Sequence, residues 1–235
     1  MELAALLVLV GCYGIAIYLT WVGRTSLYVI TLIAGHLSAL LVPLWQLLYG
    51  LRFSPELALL PTIAGQSLPS TVLISAGWYY PLPAIIVLLL SGARWWFPGR
   101  ITALLTYILF VLYHLLIELV GLRTQIWSYR EALLPFGISL PLMRALMASL
   151  ASYALLYILF LNYRSSWQGL LLSLLPFPLI VSLLAYGLLG APLWMARFLE
   201  GFPWVLTLGT PLSVGLLVWA GLILVRGVAM LRTDP

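Results

Sequence analysis

Glu118 and His114 are the residues of this chain whose types and spacing most clearly suggest chemistry, because they lie four positions apart in an apolar stretch. In a helix, side chains at positions i and i+4 project from the same face. An ionisable group at membrane depth is costly to bury, so it usually faces a charged partner, a cavity or a reacting ligand. A carboxylate and an imidazole held together can exchange protons with a substrate. The pair therefore predicts general acid–base catalysis by Glu118 and His114.

Arg144 offers a second interpretation of Glu118. It lies about two turns inside the next apolar stretch, and Glu118 lies about one turn from the end of its own. Two adjacent antiparallel helices would bring the charges together, and pairing lowers the cost of burying either one. In this interpretation Glu118 and Arg144 form a structural tie between helices, and His114 donates to a neighbouring carbonyl. The catalytic and the structural interpretations both stay open.

Membrane-spanning helices are the elements that must position these residues. Of the 235 residues, 64% are hydrophobic and only 7% are charged, whereas an ordinary soluble domain is about 25% charged. A run of about 20 apolar residues is long enough to cross a bilayer as a helix. The sequence therefore predicts an all-α fold, a single polytopic membrane domain with about seven transmembrane helices. The predicted spans are 3–22, 27–49, 71–91, 101–121, 138–161, 169–190 and 204–226.

The composition argues against several classes of protein. All 11 basic residues are arginine, so the chain lacks the lysine that a retinal Schiff base requires. Apart from Arg144, the arginines stand singly at span ends, which indicates contacts with lipid headgroups and argues against nucleic acid. His36 and His114 could suggest a haem with two histidine ligands, but their predicted depths in the membrane differ. No metal site is predicted, and the cofactor is left unassigned.

Arginine counting gives the expected orientation in the membrane. Six arginines fall on the side of the C-terminus: Arg24, Arg94, Arg100, Arg164, Arg226 and Arg232. Four fall on the other side: Arg52, Arg123, Arg130 and Arg197. We therefore expect an N-terminus outside and a C-terminus in the cytoplasm, in the cytoplasmic membrane of a prokaryote. Glu2 has the wrong charge for a signal peptide, so the first span is expected to be retained.

Aromatic residues and prolines subdivide the spans. Most Trp and Tyr residues near span ends fit an interfacial belt: Trp21, Trp45, Tyr49, Trp95, Trp96, Trp127, Tyr129, Tyr163, Trp167, Trp194 and Trp204. Trp78, Tyr79 and Tyr80 lie deeper, inside the third span, where they either line a cavity for an elongated ligand or pack in the core. Prolines are predicted to interrupt and bend five spans, at Pro43, Pro81 and Pro83, Pro141, Pro176 and Pro178, and Pro211.

One segment carries a pattern of its own: ELVGLRTQIWSY, which begins at Glu118, followed by GISLPL. It resembles membrane-integral carotenoid-modifying proteins of the carotenoid hydratase and heterodimeric lycopene cyclase types. The resemblance implies a multi-span protein that protonates or hydrates a double bond of an isoprenoid, with Glu118 as the acidic residue and Trp127 and Tyr129 as an aromatic pair. Where cyclases of this kind carry acidic residues after the Pro-Leu, this chain has Met143 and Arg144. That difference argues against cyclase activity.

These features favour a protein that binds or modifies an apolar lipid or isoprenoid within the helix bundle, with acid–base chemistry at Glu118 and His114. The residues expected to contact the substrate are Trp78, Tyr79, Tyr80, Trp127, Tyr129 and Arg144. The alternative is a non-catalytic subunit or assembly partner of a larger membrane complex, which the low polarity and short loops would also suit. Transport or signalling is less favoured, because transporters usually carry more polar groups near the midplane.

Overall fold

The protein is a bundle of membrane-length helices. The structure, a computed structural model, describes residues 2–57, 66, 68–163, 165–199 and 202–231. Within these ranges, seven helical segments are long and apolar enough to cross a membrane: Leu3–Gly23, Leu27–Tyr49, Ser70–Gly92, Arg100–Arg123, Leu140–Asn162, Trp167–Leu189 and Trp204–Ala229. The predicted all-α polytopic fold is confirmed. The largest difference in a span boundary is at the end of the last span, predicted at 226 and found at Ala229.

Several of these segments consist of two or more shorter helices. The helices are α1 (Glu2–Gly23), α2 (Leu27–Ser38), α3 (Val42–Tyr49), α4 (Ser70–Tyr79), α5 (Pro81–Gly92), α6 (Arg100–Arg123), α7 (Leu140–Asn162), α8 (Trp167–Leu174), α9 (Phe177–Ser182), α10 (Ala191–Phe198) and α11 (Pro203–Ala229). A 3₁₀ turn, Ala39–Leu41, joins α2 to α3, and a π-helix, Leu183–Leu189, follows α9. Helices dominate because lipid offers backbone groups no hydrogen-bond partner outside the chain.

The prolines of the spans act in two different ways. Pro43, Pro81 and Pro176 lie where one helix gives way to the next. Pro141 lies in the first turn of α7, where backbone N–H groups have no helical acceptor, so it starts a helix. Helix α11 continues through Pro211. The prediction that Pro141 and Pro211 interrupt their spans is therefore wrong.

A short antiparallel ribbon lies at one end of the bundle. Strand β1 (Leu51–Phe53) follows α3, strand β2 (Trp127–Tyr129) follows α6, and Arg52 pairs with Ser128 at the centre of the register. Side chains alternate between the two faces of a strand. Arg52 and Ser128 are exposed, and the residues flanking them are more buried. The sequence predicts no strand here, because three residues are too few to show an alternating pattern.

Helix α7 forms the centre of the bundle and α1 lies at its periphery. Helix α7 packs against α5, α6 and α11, and most of its span is buried. Helix α1 packs mainly against α2 and α4, and few of its residues are buried. An apolar helix surface that is exposed in this way is suited to contact with lipid.

Of the residues in the predicted aromatic belt, some are exposed near helix ends and others are buried. Four tryptophans near helix ends are exposed: Trp21, Trp95, Trp167 and Trp204. Trp45, Tyr49 and Trp96 are buried instead. Trp45 stacks on Tyr186, with ring centroids 5.0 Å apart, and the indole N–H of Trp96 donates to Thr106 Oγ1 at 2.9 Å. Their burial depends on neighbouring helices, which position in the sequence does not reveal.

The orientation of the bundle in the membrane stays a prediction. Arg164 and Arg232, which contribute to the arginine count, lie outside the described residues.

One end of the bundle contains the start of α1, the ribbon, the end of α6 and the start of α7. We call it the N-terminal end.

Close packing of α2 on α4 depends on Gly35. A Cβ at this position would lie 2.7 Å from the carbonyl oxygen of Ala76 and 2.7 Å from Cγ of Pro81. Because a backbone carbonyl cannot turn aside as a side chain can, Gly35→Ala should lower the free energy of unfolding by about 1–3 kcal/mol. Thermal denaturation in mild detergent measures the change. Gly11→Ala is the matched control, since a Cβ there meets nothing within 4 Å, and equal losses in both variants would contradict the prediction.

Candidate functional site

A cavity of about 400 Å³ lies at the N-terminal end of the bundle. Its volume falls in the range of about 300–1,000 Å³ that is typical of small-molecule sites. Its walls come from α1, the end of α2, α3, α4, the end of α6, the ribbon and the first turns of α7. The lining is mostly apolar and aromatic. Among its described residues, the charged side chains are those of Glu118 and Arg144.

Glu118, Tyr129 and Arg144 form a hydrogen-bonded cluster at this wall. Nη1 of Arg144 lies 3.3 Å from Oε1 of Glu118 and 3.4 Å from Oε2. The same nitrogen donates to the Tyr129 hydroxyl at 2.6 Å, and that hydroxyl donates to Oε2 of Glu118. The side chain of Glu118 is 1% exposed and that of Arg144 is 12% exposed. The predicted pairing of Glu118 with Arg144 is confirmed.

Oε2 of Glu118 accepts hydrogen bonds from the Tyr129 hydroxyl and from Nη1 of Arg144. The guanidinium of Arg144 is charged at any accessible pH and also lies over the Tyr129 ring, 5.6 Å from its centroid. The cluster therefore holds an acceptor, a neutral donor and a fixed positive charge in contact with one another.

Tyr129 reaches the cluster from the ribbon, where it pairs with Leu51 of β1. Burial raises the pKa of the Tyr129 phenol above its ordinary value; the negative charge of Glu118 acts in the same direction, and the positive charge of Arg144 opposes it. The phenol therefore keeps its proton at neutral pH. Tyr129 is a stable hydrogen-bond donor to Glu118.

Trp127, the other inward-facing aromatic of β2, covers the end of α6. Its indole lies against Gly121, where an added Cβ would overlap the ring. The ring also meets Phe53 edge to face, with centroids 6.4 Å apart. Glycine at position 121 thus provides the space in which Trp127 and the ribbon sit over the cavity.

His114 lies behind the cavity wall. Its Nε2 lies 2.7 Å from Oγ of Ser152 on α7. Its ring packs edge-on against Tyr79, with centroids 4.7 Å apart, and lies 6.0 Å from the ring of Tyr80. Both tyrosines belong to the described lining of the cavity, and His114 does not. A role for His114 in proton transfer with Glu118 stays a prediction.

Trp78, Tyr79 and Tyr80 all line the cavity, at the point where α4 gives way to α5. The rings of Tyr79 and Tyr80 meet edge to face, with centroids 4.7 Å apart. The indole N–H of Trp78 and the hydroxyl of Tyr79 are buried and have no hydrogen-bond partner in the described part of the chain. Packing, rather than hydrogen bonding, holds these two side chains in the wall.

The structure brings the predicted site residues together around one cavity. The predicted residues in its wall are Trp78, Tyr79, Tyr80, Glu118, Trp127 and Arg144; His114 and Tyr129 contact residues of the wall. Sequence reasoning missed Trp45 and the ribbon residues Leu51 and Phe53, which also line the cavity. It also missed Ser152, although that serine is two turns beyond Arg144 on the same helical face, a spacing that was available as a signal.

No metal-binding group was found around the cavity or elsewhere in the described ranges, where no three His, Cys, Asp or Glu side chains come together in a way that could hold an ion. The ring nitrogen Nδ1 of His36 lies 2.8 Å from the carbonyl oxygen of Leu73.

No protein-family model, curated protein or solved structure matches the chain.

Proposed function

We propose that this protein binds a long apolar lipid, an isoprenoid, in the cavity at the N-terminal end and carries out acid–base chemistry on it with Glu118. The observation that carries the proposal is a mostly apolar cavity inside a membrane bundle with one buried ionic cluster at its wall, as far as the described residues show. A buried charge is costly, so its position beside a cavity suggests a use there.

The lining supports an apolar ligand. A polar molecule would lose its hydration on entering and recover few hydrogen bonds from walls of this kind. The aromatic side chains of Trp78, Tyr79 and Trp127 offer flat surfaces against which an unsaturated chain can pack. The isoprenoid class comes from the resemblance of the segment that begins at Glu118 to carotenoid-modifying membrane proteins.

The hydrogen-bond pattern supports Glu118 as a proton acceptor. Hydration of a carbon–carbon double bond adds a proton to one carbon and the hydroxyl of water to the other. The step balances when the group that gives its proton to the first carbon takes back the proton that the attacking water loses, so that one group serves as acid and then as base. Glu118 is our candidate for this group, and Tyr129 and Arg144 act as positioning residues that hold its oxygens in place. Positive charge that develops on the ligand would be stabilised by the aromatic faces of the wall.

Glu118→Gln should abolish turnover in protein that still folds and holds its ligand, although the loss of the counter-charge of Arg144 lowers its stability. Glutamine keeps the volume and one accepting oxygen but is a far weaker base. Cells that make a linear carotenoid are given the wild-type or the variant chain, and extracted pigments are compared by absorbance and mass spectrometry. Wild type should add one water to the carotenoid, and Glu118→Gln should add none. Glu56→Gln, at an exposed position outside the cavity lining, should behave as wild type.

Two results would count against this function. An unchanged hydrated product from Glu118→Gln would remove Glu118 from the reaction. Wild-type protein that purifies without any isoprenoid, but with another membrane protein in fixed ratio, would favour the alternative role as a non-catalytic subunit. Extraction of bound lipids from wild-type protein purified in mild detergent distinguishes isoprenoid binding from the subunit role.

A further inference from the structure

We infer that the ligand enters the cavity sideways from the lipid bilayer, through a gap between α1 and α6 at the N-terminal end. The inference rests on the proposed function, and it adds the route by which a membrane-dissolved ligand reaches Glu118. We call this gap the lateral opening, and define it by Ala5 and Val8 on α1 and by Leu116 and Val120 on α6.

The lateral opening is bordered by side chains that face both the cavity and the surroundings of the bundle. Leu116 and Val120 line the cavity and are 62% and 48% exposed. Val8, on the opposite side, also lines the cavity and is 43% exposed. A residue can belong to a cavity wall and to the lipid-facing surface only where the cavity reaches that surface. The cavity is therefore open toward the bilayer here.

The packing of the helices explains why the opening lies at this position. Helix α1 packs mainly on α2 and α4, whereas α6 packs mainly on α7 and α11. Residues of both helices line the cavity, so the cavity lies between α1 and α6 at the N-terminal end. Ala5 lines the cavity from α1, and its small side chain takes up little of the opening.

The ribbon covers the cavity on the side of the membrane surface. Leu51, Phe53 and Trp127 belong to the cavity lining, and they follow directly on the ends of membrane-length helices. Leu51 is buried, and the Trp127 indole is packed against Gly121. An apolar ligand has a low concentration in water and a high concentration in lipid. It therefore reaches the protein mainly from the bilayer, toward which the lateral opening faces.

The direction of the cavity indicates how a long ligand would lie. Leu116 and Glu118 are two positions apart on α6 and both line the cavity, yet Leu116 faces lipid and Glu118 is buried. The cavity therefore runs from the lipid-facing surface inward to the ionic cluster. One end of a linear isoprenoid would reach Glu118 while the rest of the chain stays in the bilayer, which favours chemistry at the end of the chain over chemistry at its middle.

Cross-linking α1 to α6 tests the inference. In a Cys12→Ala background, Ala5→Cys and Val120→Cys are joined by a short bis-maleimide, and mass spectrometry confirms the link. The protein is reconstituted in phosphatidylcholine vesicles that contain radiolabelled squalene as a linear apolar probe, and bound squalene is counted after repurification. Cross-linked protein should take up squalene about ten-fold or more slowly. Protein that is loaded before cross-linking should retain its squalene.

The controls separate the two proposals. Leu7→Cys in the same Cys12→Ala background, at a lipid-facing position outside the cavity lining, should take up squalene after treatment with the reagent as the untreated protein does. Ala5→Trp should slow uptake without any reagent, and Leu7→Trp, at a lipid-facing position of α1 outside the cavity lining, should not. Equal uptake by cross-linked and free protein would overturn the lateral opening and leave the binding function standing. Failure of the free wild-type protein to retain squalene would overturn both.

Discussion

Glu118→Ala should lower the free energy of unfolding by about 3–5 kcal/mol, the typical cost of breaking a buried ion pair by removing one partner. The cause is Arg144, whose side chain is only 12% exposed and would lose the carboxylate that its Nη1 contacts at 3.3 Å. A guanidinium cannot escape by losing its proton, so the charge would remain buried and uncompensated. Tyr129 would lose the acceptor of its hydroxyl at the same time.

Denaturant unfolding in mild detergent measures this loss. Two further variants show whether the loss comes from breaking the buried ion pair. Glu118→Leu combined with Arg144→Met should recover most of the stability, because replacing a whole buried ion pair by apolar groups is often neutral or favourable. Glu131→Ala is the exposed counterpart. Its carboxylate is 56% exposed and lies 3.8 Å from Arg197, and such pairs contribute about 0–1 kcal/mol. A double variant as unstable as Glu118→Ala would contradict the explanation.

Gly121→Ala should reduce turnover by about 10²-fold, the usual order of effect when a reacting group is misplaced by about 1 Å. The new Cβ would overlap the Trp127 indole, so the ring must move away from α6. Trp127 and Tyr129 belong to the same three-residue strand. Movement of Trp127 is therefore expected to pull the Tyr129 hydroxyl from Glu118 and to loosen the cover over the cavity.

Gly215→Ala is the matched control, because a Cβ at that glycine of α11 meets nothing within 4 Å. Both substitutions gain the same helix propensity, about 0.8–1.0 kcal/mol for alanine over glycine, so the contact with Trp127 is what distinguishes them. Gly121→Ala with Trp127→Phe should regain part of the turnover, since the smaller ring leaves room for the methyl group. Wild-type turnover in Gly121→Ala would show that the position of the ribbon does not matter to the reaction.

The spans and the Glu118–Arg144 pair could be predicted from the sequence because both follow from the cost of transfer into lipid. Backbone polar groups force an apolar segment into a helix, and a buried charge on one helix requires an opposite charge nearby. Arg144 was the available partner at a similar depth on the next span. The structure confirms both predictions without any change of residue.

The lateral arrangement of the helices could not be predicted in the same way. In lipid, a side chain that faces a neighbouring helix can be as apolar as one that faces the bilayer, so periodicity does not identify the buried face. The burial of Trp45 depends on Tyr186, and the position of Trp127 depends on Gly121. Each of these contacts joins residues whose relation is visible only in three dimensions. The resemblance to carotenoid-modifying proteins, and the catalytic roles of Glu118 and His114, stay predictions that the experiments above address.

The connection between Glu118 and Arg144 has a consequence for the synthesis of the protein. A chain that is made from its N-terminus inserts α6, with its carboxylate, before the balancing guanidinium of α7 has emerged. Because the partner lies on the very next helix, the two can enter the membrane as one hairpin, and Glu118 is alone in lipid only briefly. Tyr129, in the loop of that hairpin, completes the cluster at the same moment. If the arginine were on α11, Glu118 would stay unpaired in the membrane until nearly the whole chain had been synthesised.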